Sequence, residues 1–318
     1  MNTKNTKTII IILLIIANIF FIYNRIDLRE KTENISSEMV DDAVNILRKS
    51  GFVADSDKIP VKKPSNPIYE GIYSDYMFDN IVKYFSGVSD DDLKELGYMV
   101  VPPSDRSYVA GEYRFIFSQI DYFKISIIEK SYIDPDNIVS LEEETQIKTK
   151  MLLENVKTGI QKNDIKKAEN IIRDFLRKYK TQDIKLGFEV VGFSYDNNKN
   201  TERVLINQTV DGLPVGSHTV YIEIQNDEVK YFSGKWYFGE FVEMYKMPLL
   251  DSVNILFKCL QIDGSTVQEN GDLKEMYPEY SVIQHDTKMF FLTPSWRIEF
   301  ESGVSLSYNM ITGVKKIN

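Results

Sequence analysis

Four strand-like segments, residues 188–195, 203–209, 218–225 and 229–238, follow one another with only the turn signals DNNKN, DGLPVG and NDE between them. Runs of β-branched and aromatic residues separated by such short polar breaks predict an antiparallel meander. The helix predicted just before it, over residues 163–180, carries the stripe Ile165, Ala168, Ile171, Ile172, Phe175, Leu176 and Tyr179. Asn163 suits its cap, Asp164 its positive end and Arg173, Arg177, Lys178 and Lys180 its negative end. A helix laid on an antiparallel sheet is therefore the central expectation.

The same grammar extends to both sides. Upstream, Ser36 or Ser37 caps a helix with the stripe Met39, Val40, Ala43, Val44 and Leu47, ended by Gly51. DKIPVKKPSNP then favours an extended spacer or edge segment. Residues 68–73 read as a strand, 76–85 as a short helix ended by Gly87, and Ser89 with Asp92 as a capping box. Segments 112–118 and 122–128 should pair as a hairpin. Downstream, Pro248 suits the first turn of a helix with the stripe Leu249, Val253, Leu256 and Leu260, stopping near Gly264. Strands at 281–284, 288–292, 295–300 and 304–310 follow, so the order of helix and then hairpins recurs.

At the other end of the chain, residues 9–23 are apolar except for Asn18. At the helical rise this run covers roughly 22 Å, with Lys4, Lys7, Arg25, Tyr23, Phe20 and Phe21 placed to complete a membrane span at the headgroups. No A-x-A-like site follows it, so an uncleaved anchor is expected. Flanking charges do not set its orientation, since Lys4 and Lys7 face Arg25, Arg29 and Lys31.

Nineteen tyrosines and 18 phenylalanines against two histidines and one cysteine make the chain rich in strand formers and thin in catalytic side chains. A net charge of −9 disfavours nucleic acid and anionic lipid as partners of the bulk of the chain. His218 and His285 lack neighbours spaced for a metal site or a triad, and Cys259 falls beside an apolar stripe, where an inert buried thiol is the expectation. Asp90, Asp91 and Asp92 read as the acidic first turn of a helix, and Asp134-Pro135-Asp136-Asn137 as a turn. Trp296 is expected in the core with Arg297 on the opposite strand face. Within the apolar run, Asn18 is the candidate for a partner-facing residue, with Leu14, Ile15, Phe21 and Ile22 on its face at helical spacing.

The opening KTIIIILLIIANIFFIYNRI, the helix soon after it and the closing LTPSWRIEFESGVSLSYNMITG together resemble the YycI (WalI) regulatory proteins of Gram-positive bacteria, from end to end. The closing segment is also similar to PepSY-type modules, through Pro294, Trp296, Arg297, Ile298, Gly303, Tyr308, Asn309, Thr312 and Gly313. The resemblance implies a membrane protein of the WalK/WalR two-component system for cell-wall homeostasis, acting by contact with a sensor histidine kinase and a YycH-like protein. It also implies a cytoplasmic N-terminus with the bulk of the chain outside. The expected organisation is a tail over 1–8, a transmembrane helix over 9–25, and extracytoplasmic α+β domains over 26–140 and 141–318. The fold class expected is α+β, as two PepSY-like halves, each a helix packed on an antiparallel sheet. No enzyme activity, metal or cofactor is expected. A membrane-tethered inhibitor or chaperone of an extracellular protease is the alternative; a cell-wall hydrolase lacks the paired acids it needs.

Overall fold

The computed structural model describes residues 34–72, 75–96, 99–101, 105–118, 124–132, 141–154, 162–177, 186–196, 199–239, 241–285 and 289–316. Along the chain these form α1 (Ser37–Lys49), β1 (Ile68–Ile72), α2 (Asp75–Ser86), α3 (Asp90–Leu96), β2 (Met99–Val101), β3 (Asp105–Ala110), β4 (Tyr113–Phe117) and β5 (Lys124–Glu129). Then come α4 (Leu141–Glu154), α5 (Lys162–Arg177), β6 (Leu186–Asp196), β7 (Thr201–Val210), β8 (Leu213–Gln225), β9 (Glu228–Lys235) and β10 (Phe241–Tyr245). The chain closes with α6 (Ser252–Asn270), β11 (Leu273–Gln284), β12 (Met289–Phe300) and β13 (Ser305–Asn309). Two compact units result among the described residues, a larger one within 67–245 and 279–293 and a smaller one that gathers 34–66 with 246–278 and 294–316.

The larger unit is built on a sheet in the order β10-β1-β12-β11-β8-β9-β5-β4-β3-β2. Its meander forms as the turn signals require. Asp211 and Gly212 both take positive φ, 50° and 77°, between β7 and β8, and Asn226 and Asp227 do so at 53° and 63° between β8 and β9. Two consecutive left-handed residues give the turn whose twist matches a two-residue hairpin. On one face of the sheet, Phe78, Ile81, Val82 and Phe85 of α2 and Ala168, Ile172 and Phe175 of α5 pack against the strands in a single apolar cluster. The other face carries α4.

The smaller unit sets α1 and α6 against β12, β13 and the first part of β11. The Ser36 hydroxyl accepts the Met39 N–H at 3.2 Å, and Val40, Ala43, Val44 and Leu47 bury the predicted stripe. The lysine-proline segment after α1 is packed in this unit rather than standing off as a spacer: Ile59 is buried, Val61 O accepts the Ile35 N–H at 2.7 Å, and Pro60 O accepts the Ser252 hydroxyl at 2.6 Å.

The expected fold class is overturned. The described chain is mostly sheet, and it does not divide into two helix-on-sheet halves. Strands at β2, β3 and β10 add to the larger unit's sheet, and β11 and β12 each run from one unit into the other, so the second round of helix and hairpins is not a self-contained repeat. Among the described residues no helix is long and apolar enough to cross a membrane; the apolar run over 9–23 lies outside them.

Local expectations also shift. β12 is continuous through Pro294, whose carbonyl accepts the Met310 N–H at 2.9 Å, where the sequence pattern predicts two strands. Proline is tolerated there because the strand needs only its acceptor. The last helix begins at Ser252, capped by the Asp251 carboxylate on the Asn254 N–H at 2.9 Å, and runs past Gly264 to Asn270 through a kink at Asp263 (φ −120°, ψ 29°).

Candidate functional site

Leu14, Ile15, Asn18, Phe21 and Ile22 lie outside the described residues, as do the four residues Asp134 to Asn137. Asp90, Asp91 and Asp92 form the first turn of α3, with the predicted capping box in place: the Ser89 hydroxyl accepts the Asp92 N–H at 3.2 Å and the Asp92 carboxylate accepts the Ser89 N–H at 3.3 Å. His218 is fully buried on β8, with Nδ1 2.6 Å from the Gln208 amide oxygen. That oxygen already accepts the Tyr237 N–H at 3.1 Å while the Gln208 amide N–H donates to Tyr237 O at 2.6 Å, so the contact makes Nδ1 the protonated nitrogen. This is a core hydrogen-bond chain. Among the described residues no cluster of His, Cys, Asp and Glu is placed to hold a metal.

Trp296 is buried in the smaller unit, its indole N–H donating to Leu250 O at 3.0 Å, while Arg297 on the opposite face donates to the Glu299 carboxylate at 3.2 Å and to the Ser305 hydroxyl at 2.7 Å. Cys259 is buried on α6, and burial pushes its thiol up to about 11, out of the nucleophilic range. Beside it, the Asp263 carboxylate at the helix kink accepts the Tyr308 hydroxyl and the Lys315 ammonium, the latter at 2.6 Å.

The most constructed polar site sits on the face of the larger sheet that α4 covers. Alternation along β8 puts Val220, Ile222 and Ile224 in the main core and turns Tyr221 and Glu223 to this other face. Register then brings Arg203 of β7 and Tyr231 of β9 to either side of Glu223. Glu223 is only 4% exposed. Its carboxylate accepts the Tyr132 hydroxyl and, at 2.7 Å, the Tyr221 hydroxyl; Lys148 of α4 brings its ammonium to 3.4 Å and Arg203 lies at 3.9 Å. The same Lys148 ammonium stands 4.4 Å from the centre of the Tyr231 ring and 5.9 Å from that of Tyr221. One turn earlier on α4, Thr145 bonds the Tyr231 hydroxyl and donates to Ser233 at 3.1 Å.

Burial pushes the Glu223 carboxyl upward, but the Lys148 ammonium and the tyrosine hydroxyls outweigh it and hold the group below its ordinary value of 4.5. Burial, reinforced by the Glu223 charge, pushes both Tyr132 and Tyr221 upward, so they remain hydroxyl donors. The arrangement is a cation holder, not an acid–base pair. Because the folded carboxyl is depressed, it adds stability above pH 4.5, and that stability is lost as pH falls through its lower folded value. Glu223→Gln should lower stability by about 1 to 3 kcal/mol at pH 7, by removing the charge that faces the part-exposed Lys148 while Arg203 keeps Asp196 at 2.7 Å, and by less at pH 3. Urea midpoints at the two pH values check this; equal losses would contradict it.

The sequence pattern marks Tyr221, Ile222, Glu223 and Ile224 only as a strand. A charged residue at a solvent-side position of an alternating strand is ordinary, and nothing local announces the helix that arrives some seventy residues upstream to cover it.

No family model matches the chain, and no curated protein matches it. Among solved structures it is similar to an uncharacterized protein from Eubacterium rectale, at 11% identity and a TM-score of 0.46, over 84% of this chain and 91% of that one. It is also similar to the Bacillus megaterium YpeB C-terminal domain, at 14% identity and a TM-score of 0.32, over 78% of this chain and 97% of that one.

Proposed function

We propose that this protein is a membrane-anchored regulator of a sensor histidine kinase of the WalK type, acting outside the cytoplasm by protein contact alongside a YycH-like partner. The observation that carries the reading is the joint presence, in one chain, of the apolar run over 9–23 and the closing motif of residues 292–313. The roles of the motif residues are consistent with it. Trp296 anchors the β12–β13 hairpin in its core, the Asn309 side chain accepts the Ile311 and Thr312 N–H groups at 2.8 and 3.1 Å, and Gly313 (φ 68°) closes that turn. On this reading the N-terminal run packs against partner helices through Asn18 and shifts the kinase between two signalling states by differential affinity.

Crosslinking and affinity purification of the full chain from its native membrane, beside a version lacking residues 1–25, tests the proposal. Recovery of a sensor kinase and a YycH-like protein with the full chain only supports it. Recovery of a secreted protease with both versions would replace it with the inhibitor reading. Asn18→Leu should reduce kinase recovery about two- to tenfold, the range expected for one interhelical hydrogen bond; unchanged recovery removes Asn18 from the mechanism.

A further inference from the structure

At one end of the larger unit's sheet, β10, β1, β12 and β11 lie side by side, and alternation sorts their side chains onto two faces. Tyr69, Phe241, Tyr280, Phe290 and Leu292 enter the main core. The positions between them turn the other way, and they are again apolar: Ile72 on β1, Val242 and Met244 on β10, Phe291 on β12 and Ile283 on β11. None of these five belongs to a core cluster of the described residues. Ile72 and Val242 are 55% and 53% exposed, and Met244 and Ile283 are exposed as well. Apolar side chains gathered on one open sheet face mark a contact surface.

Register places a single charge in the middle of it. Glu70 stands directly opposite Val242 on one side and Phe291 on the other, and among the described residues no Lys or Arg pairs with its carboxylate. That carboxylate decides what can cover the face. Stacking the face on a second copy brings two Glu70 carboxylates into one apolar contact, and an anionic lipid surface meets the same repulsion. A partner with only apolar side chains strips water from the carboxylate and returns no interaction. A cation ringed by apolar groups matches both the charge and its surround.

We propose that the outer face of β10, β1, β12 and β11 docks a partner protein through a lysine or arginine flanked by apolar side chains, with the cation meeting Glu70. Docking there requires neither a membrane anchor nor a kinase as the partner, so this proposal and the regulatory one fail separately.

Fluorescein-labelled peptides with a central lysine, glutamate or leucine among valines are the probes, added to the full chain in phosphatidylcholine nanodiscs and read by anisotropy against empty nanodiscs. The lysine peptide should bind at least about tenfold more tightly than either of the others. Glu70→Gln should weaken it about fivefold or more and erase its advantage over the leucine peptide. Ile72→Ser or Val242→Ser should weaken it about threefold or more, while Ile262→Ser, at a residue of α6 exposed to a similar degree, leaves it unchanged. Equal binding of the lysine and glutamate peptides, no binding of any peptide, or indifference to Glu70→Gln would overturn the proposal. A dimer of the full chain that is lost on Ile72→Ser would also overturn it, by giving the face to a second copy.

Discussion

Gly234→Ala is expected to destabilise the larger unit by about 2 to 6 kcal/mol, combining about 1 to 3 for an unfavourable backbone conformation with about 1 to 3 for a forced contact. Gly234 sits on β9 at φ 153°, opposite Val220 of β8 on one side and Ile125 of β5 on the other. A methyl group there would lie 2.2 Å from Thr219 O and 2.7 Å from Val220 Cα. Both are backbone atoms of a strand held along its other edge by β7, so neither side of the contact has a side chain to swing away. Gly264 is the control, a helical glycine whose added methyl would meet nothing within 4 Å. Gly264→Ala should leave stability unchanged or raise it by up to about 1 kcal/mol. Urea unfolding of both variants measures the contrast; similar midpoints would show that β8 and β9 are not registered as described.

Trp296→Ala should cost about 3 to 5 kcal/mol in the smaller unit, the usual penalty for emptying a buried aromatic site. Trp296 is 1% exposed among residues of α1, α6 and β13, and its loss also leaves Leu250 O without the indole donor. Arg297→Ala, one residue along, should cost less than about 1 kcal/mol, since the guanidinium bonds Glu299 and Ser305 on a partly exposed face. Calorimetry of the two variants separates a core pin from a surface arginine within one motif. A larger loss from the arginine would make the motif's cation, and not its indole, the structural element.

The contrast between these neighbours is legible in the sequence, because strand alternation assigns residues 296 and 297 to opposite faces. The same logic locates α1, the β4–β5 hairpin and the meander, whose caps and turns are local: Ser36, Asp211-Gly212 and Asn226-Asp227 act on residues within four positions of themselves. What local pattern does not encode is assembly. β1 reads as an isolated strand, yet it lies between β10 and β12, more than 160 residues downstream. The segment over 241–245 does not read as a strand, since with Phe241 buried and the following four residues exposed its pairing is specified by β1 rather than by alternation. Glu223 is a further case: its residue type and face are legible, but its cover is not.

The smaller unit draws its parts from three stretches of chain separated by the larger one. α1 is made first, yet the strands and helix that bury its stripe come after residue 245. The entropy of closing so long a loop rises only logarithmically, but the wait is set by synthesis, at roughly 5 to 20 residues per second. For some tens of seconds at the slower rate, Val40, Val44 and Leu47 lack the cover that α6, β12 and β13 supply. The smaller unit is therefore completed only once β13 has been made, and a chain that stops short of residue 252 leaves its first helix without the helix that packs on it.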